Sequence, residues 1–101
     1  MTKYHFTNKA VEDLTDIWNY TLETWSERQA DTYYDMLIES CRKIVENPRL
    51  YGLKYDEIAD GLRGYRVNRH IIFYQILPSD EILVVRILHQ RMDLKRRMIE
   101  G

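Results

Sequence analysis

Apolar and polar positions along this chain follow two different periods, and the change between them divides it. In "KYHFT" (3–7), Tyr4 and Phe6 alternate with polar neighbours, the period-two pattern of a half-buried strand. From Val11 the spacing lengthens. Val11, Leu14, Trp18, Leu22 and Trp25 recur at steps of three and four, which predicts an amphipathic helix with Asn8 as its N-cap. Glu12, Asp13 and Asp16 fall early in that helix, where its dipole favours negative charge. "SERQ" (26–29) reads as a capping box, Ser26 at the N-cap and Gln29 at N3, so a second helix begins after a very tight turn. Its apolar stripe is Ala30, Tyr33, Tyr34, Leu37, Cys41, Ile44 and Val45, and Pro48 disfavours helix at Asn47.

Residues 49–61 show neither period and are expected to form a loop. Three strand-like runs follow: "LRGYRV" (62–67), entered through the turn signal Asp60-Gly61, then "HIIFYQIL" (70–77) and "EILVVRILH" (81–89), joined by the short loop "PSD". The last two are apolar almost throughout and should be central strands. Strict alternation places Val84, Arg86 and Leu88 on one face and Leu83, Val85 and Ile87 on the other. Arg86 therefore marks a second face that is open or met by a partner's carboxylate, because burying an unpaired guanidinium is very costly. A surface arginine in a local ion pair is the plainer alternative. "MDLKRRMIEG" allows one or two frayed helical turns, a short tail from 93 to 101. The expected fold is α+β, one domain over 1–101 in the order β-α-α-β-β-β. Its antiparallel sheet carries the helical hairpin on one face.

Composition narrows the class. A chain of 101 residues, 45% hydrophobic and 31% charged, suits a folded soluble domain with one modest core. The longest apolar run, "IIFYQIL", contains Gln75 and stops at Pro78, too short for a membrane span, and "MTKYHFTNK" lacks the apolar region of a signal peptide. With Cys41 as its sole cysteine the chain forms no internal disulfide, which fits a reducing cytoplasm. The net charge of −1 hides a polarity: seven Lys/Arg against twelve Asp/Glu up to Asp60, then eight against four. A general nucleic-acid binder is basic throughout; here only the back half is suited to something negative.

Few residues invite catalytic roles. Cys41 sits on an apolar stripe, where a structural thiol is expected. His5, His70 and His89 show no metal-binding spacing, and neither a G-x-S-x-G stretch nor a glycine-rich phosphate loop is present, so no metal and no cofactor are expected. Asp56, Glu57 and Asp60 form an acidic knot that is solvated or paired with arginines such as Arg63. In "HQRMDLKRR" (89–97), Arg91, Lys95, Arg96 and Arg97 interleave with Met92 and Leu94, a pattern suited to phosphate contact or to docking on protein. No recognition helix precedes it to support specific reading of DNA.

Six stretches together resemble the ParE toxins of the RelE/ParE superfamily of type II toxin–antitoxin systems. They are "IWNYTLETW" (17–25), "QADTYY" (29–34), "NPRLYG" (47–52), "DEIADGLR" (56–63), "RHIIFYQI" (69–76) and "RILHQRMD" (86–93). Ser26 stands where glycine is common in such chains, and Gln75 where a basic residue is common. The resemblance implies the RelE/ParE-like fold and a bacterial cytoplasmic toxin that binds DNA gyrase and blocks replication, not an enzyme. It also implies neutralisation by a ParD-like antitoxin in a hetero-oligomer, with DNA bound only through that antitoxin. Partner contacts carry over by region, giving as candidates Arg63, Arg66, Arg69, Tyr74, Arg86, His89, Arg91, Met92, Asp93 and Arg96; no catalytic residue is assigned.

RelE-like relatives share the fold but cleave mRNA on the ribosome, so fold alone does not choose. Cleavage through a ribose hydroxyl needs a base and an acid as well as cations, and arginine supplies only the charge. No tyrosine follows Tyr74, and His89 is the one tail residue that titrates near neutral pH. A binding module that has lost toxicity is the third alternative.

Overall fold

The computed structural model describes residues 3–100, so the outer limits expected at 1 and 101 lie outside the described residues. Strand β1 (Tyr4–Phe6) leads into helix α1 (Asn8–Thr24) and helix α2 (Glu27–Glu46). A short helix α3 (Pro48–Tyr51) and a two-residue strand β2 (Leu53–Lys54) follow, then β3 (Arg63–Val67), β4 (His70–Ile76), β5 (Ile82–His89) and a terminal helix α4 (Leu94–Glu100). The strands form one sheet in the order β1-β5-β4-β3-β2.

The expected α+β layering is present, with two departures in the sheet: β2 adds an edge strand within the stretch 49–61 expected to be loop, and β1 is not antiparallel. β1 runs parallel to β5, pairing Tyr4 with Ile82 and Phe6 with Val84, while the other pairings are antiparallel. The sheet is therefore mixed. A three-residue strand has too little pattern to reveal its partner's direction.

Helix α1 is capped one residue before the expected position, at Thr7 and not Asn8. Thr7, still extended at φ −69°, accepts from the Ala10 N–H at 3.1 Å, and its hydroxyl donates to the Val85 carbonyl at 2.8 Å. One threonine thus begins the helix and ties it to β5. The buried stripe is also displaced by one position: Ala10 and Leu14 are buried with Ile17 packed beside them, whereas Val11 and Trp25 are exposed. Small Ala10 lets α1 approach the sheet closely, and Trp18 instead bridges the hairpin, donating to Asp31 of α2 at 3.2 Å. Ser26 caps α2 as expected, accepting from the Gln29 N–H at 3.1 Å.

Leu37, Cys41 and Ile44 of α2 meet Ile72, Tyr74, Ile82, Val84 and Ile87 across the helix-facing side of the sheet. Each fully buried aliphatic side chain there contributes roughly 1.5–3 kcal/mol. The other face is not open, as strict alternation had suggested. Leu62, Ile71, Phe73 and Leu88 form a second core, covered by Tyr55 and Ile58 of the preceding loop and by Leu94 and Met98 of α4.

A β-bulge explains why the faces differ from expectation. Phe73 pairs with Arg86 and Tyr74 with Val84, which leaves Val85 without a cross-strand partner. The extra residue reverses the alternation. Val84 and Ile87 both belong to the helix-side core, and Val85 and Leu88 to the opposite one.

Candidate partner-binding surface

The ten candidate residues separate into those that the fold consumes and those that it leaves at the surface. Arg86 is consumed. Its Nε and Nη2 donate to the two carboxylate oxygens of Asp13 at 2.8 and 3.0 Å, and its Nη1 donates to the Arg97 carbonyl at 3.0 Å. Asp13 also accepts from the Ile87 N–H at 2.9 Å, just past the bulge. The side chains of Arg86 and Asp13 are only 13% and 11% exposed, and the hydrogen bonds donated to Asp13 hold the guanidinium above its ordinary pKa. The carboxylate that the sequence reading sought from a partner comes from α1 of the same chain.

Arg63 and Tyr74 are consumed in the same way. Arg63 Nη2 donates at 2.7 Å to the carbonyls of both Arg49 and Gly52, and the Tyr74 hydroxyl donates to the Pro48 carbonyl at 2.5 Å. Burial pushes the Tyr74 phenol upward, so it remains a donor. These bonds satisfy carbonyls at the end of α3 that its single turn leaves free. Gly52 is required for the approach, because a Cβ there would collide with the Tyr74 hydroxyl. Arg63 therefore pairs with backbone and not with the acidic knot, whose Asp56 accepts from the Gly61 N–H at 3.1 Å.

His70 and His89 meet at one end of the β4–β5 pair, while His5 pairs separately with Glu81. Tyr33 shares a 2.6 Å hydrogen bond with His70 Nδ1, and the His70 and His89 rings stand edge to face with centroids 5.3 Å apart. Burial first, and His89 second, lower the His70 pKa to about 4, so its ring is neutral at physiological pH. His89 Nδ1 accepts from the Arg91 N–H at 3.1 Å, fixing the turn out of β5. Asp93 caps the last helix, accepting from the Arg96 N–H at 3.2 Å.

Arg66, Arg69, Arg91, Met92, Asp93 and Arg96 lie at the surface. Met92, Asp93 and Arg96 line a small hollow with Arg97. Beside it opens a groove of about 740 Å³ whose walls include Tyr51, Leu53, Tyr55, Tyr65, Arg66 and Arg91. Its floor depends on Gly64: a Cβ there would sit 2.7 Å from the Tyr55 ring, which crosses the strand at that point. Sequence reasoning missed these groove tyrosines and Leu53. The available signal was "RLYGLKY" (49–55), with two leucines and two tyrosines in a segment expected to be loop.

The chemistry of this surface suits contact more than turnover. Guanidinium groups on the rim offer permanent charge and donors but no proton transfer, and the tyrosines and leucines offer apolar contact. Cys41 offers no nucleophile, since burial pushes its thiol up to about 12. Among the described residues, no three His, Cys, Asp or Glu side chains come together to hold a metal ion, and no helix is long and apolar enough to cross a membrane.

Comparison with known proteins agrees with this organisation. The family model for the "ParE toxin of type II toxin-antitoxin system, parDE" matches residues 4–94. Toxin ParE1 of Mycobacterium tuberculosis is 35% identical over 97 residues, spanning 96% of this chain and 98% of that protein. Toxin ParE1 of Caulobacter vibrioides is 31% identical over 98 residues, 97% of this chain and 99% of its own. Toxin ParE of Escherichia coli is 31% identical over 100 residues, 99% of this chain and 96% of its own. The fold is shared with a chain of the solved "Chromosomal ParDE TA system from P. aeruginosa", at TM-score 0.73 and 18% identity over 88% of this chain and 96% of that one.

Proposed function

This chain belongs to the ParE toxin family of type II toxin–antitoxin systems, and from that premise we propose that it poisons DNA gyrase in the bacterial cytoplasm. It acts by binding and not by turnover, holding gyrase on broken DNA and so blocking replication. A ParD-like antitoxin neutralises it in a hetero-oligomer and supplies the only contact with operator DNA. Kinship with ParE toxins along nearly the whole of both chains carries this reading. The chemistry of the surface supports it: Arg66, Arg69, Arg91, Met92, Asp93 and Arg96 suit protein contact, as one domain acting through its basic end. Arg63, Tyr74 and Arg86 contribute by holding the framework, and His89 by setting the turn into the tail.

Gyrase assays with the purified full chain test the proposal. Supercoiling of relaxed plasmid should stop, with cleaved DNA accumulating, while ribosomes programmed with mRNA should yield no cuts. Gyrase that supercoils normally in excess toxin, or mRNA cleavage that disappears in His89→Ala, would overturn it in favour of the nuclease alternative.

A further inference from the structure

The segment 49–54 is held in place by hydrogen bonds from the sheet yet presents apolar side chains to water. Arg63 and Tyr74 fix the carbonyls of Pro48, Arg49 and Gly52 from beneath, and Leu50 and Leu53 project outward, 69% and 72% exposed. Tyr51 packs edge to face on Tyr65 with centroids 5.8 Å apart, so the exposed leucines continue into the tyrosine-lined groove. Rigid, contiguous apolar surface of this kind marks an interaction site more often than a solvated loop.

The groove's charge narrows the occupant. Its charged wall residues are Arg66 and Arg91, with no carboxylate among them, and no ion pair reaches either guanidinium among the described residues. Arg66 makes only a 3.4 Å contact to the Asn68 carbonyl. Two uncommitted arginines over an apolar wall complement a segment carrying both carboxylates and aliphatic side chains. They do not suit a second copy of this chain, whose same surface is also positive.

We propose that the Leu50–Leu53 ridge and the Arg66/Arg91 groove form the seat for an acidic, aliphatic segment of the antitoxin. This rests on the toxin–antitoxin reading above. The hollow lined by Met92 and Arg97 remains outside the seat.

The test uses the full-length chain and the ParD-like protein encoded beside it, with affinity measured by calorimetry and gyrase inhibition measured in parallel. Leu53→Glu and Arg91→Glu should each weaken antitoxin binding by about tenfold or more, as charge reversal at the centre of an interface does. Tyr20→Glu, an equally exposed aromatic position on α1, should change affinity less than about twofold. Melting midpoints check folding, and Leu50→Ser replaces Leu53→Glu if the latter melts early. Unchanged antitoxin affinity in the ridge variants overturns the proposal, as does an equal loss in Tyr20→Glu. Failure of the wild-type chain to inhibit gyrase would instead defeat the functional reading, while the affinities still judge the seat.

Discussion

Two sets of arginines occupy this molecule and do opposite things. Arg63 and Arg86 point inward, and their hydrogen bonds satisfy groups of their own chain: a carboxylate on α1 and carbonyls on α3, at Gly52 and on α4. Arg66 and Arg91 stand on a groove rim over apolar side chains. The letters are identical, and their neighbours decide the role. An arginine opposite a bulge or behind a turn becomes framework, because its fork matches carboxylate and carbonyl geometry and its charge is never lost. An arginine on a strand's outer position or after a capped turn remains available to a partner.

The sharpest way to break the contrast is to remove the innermost pair. Asp13→Ala leaves Arg86 nearly buried without its carboxylate and frees the Ile87 N–H, and should cost about 3 kcal/mol of unfolding free energy in denaturant titration. Arg86→Ala should cost a similar amount, and the double variant less than the sum, because both remove one interaction.

Next in size is the histidine pair. The folded-state pKa of His70 is lowered to about 4, against an ordinary value near 6.5, so the unfolded chain binds the extra proton first. Stability from this group is full above roughly pH 6.5 and falls as pH drops towards 4. Allowing for partial exposure, the loss should be on the order of 1–2 kcal/mol across that window. His70→Gln should flatten that part of the profile, as measured by melting at successive pH values.

Tyr74→Phe keeps the buried ring and deletes only the hydroxyl bond to the Pro48 carbonyl. It should cost about 1 kcal/mol and loosen the 48–52 turn, visible as faster amide exchange there. The outer set should show the smallest effect of all. Arg66→Ala and Arg91→Ala should each leave stability within about 0.5 kcal/mol of wild type while weakening partner binding. Equal destabilisation by inner and outer substitutions would erase the distinction.

The sequence made the long periodic elements legible and obscured whatever depended on a single residue. α2, β4 and β5 were readable because many positions repeat one period, and Ser26 because its cap is a local bond. The stripe of α1 was misplaced by one position since bulky Val11, Trp18 and Trp25 drew attention from Ala10, whose small size is what lets the helix pack. The bulge at Val85 was invisible in a run of apolar letters, and it alone moved Arg86 from an open face to a bond with Asp13. α3 and β2 hid within an aperiodic stretch, too short for either period to declare itself. The surface was half legible: the basic tail showed in its composition, whereas the groove requires Tyr51, Tyr55 and Tyr65 to converge through tertiary folding.

The most direct measurement compares purified wild-type chain with a Met92→Ala/Arg96→Ala variant of equal melting midpoint in a gyrase supercoiling assay. The account predicts that wild type halts supercoiling and traps cleaved plasmid, and that the variant does so only at much higher concentration. Complete supercoiling in the presence of excess wild-type protein would contradict it.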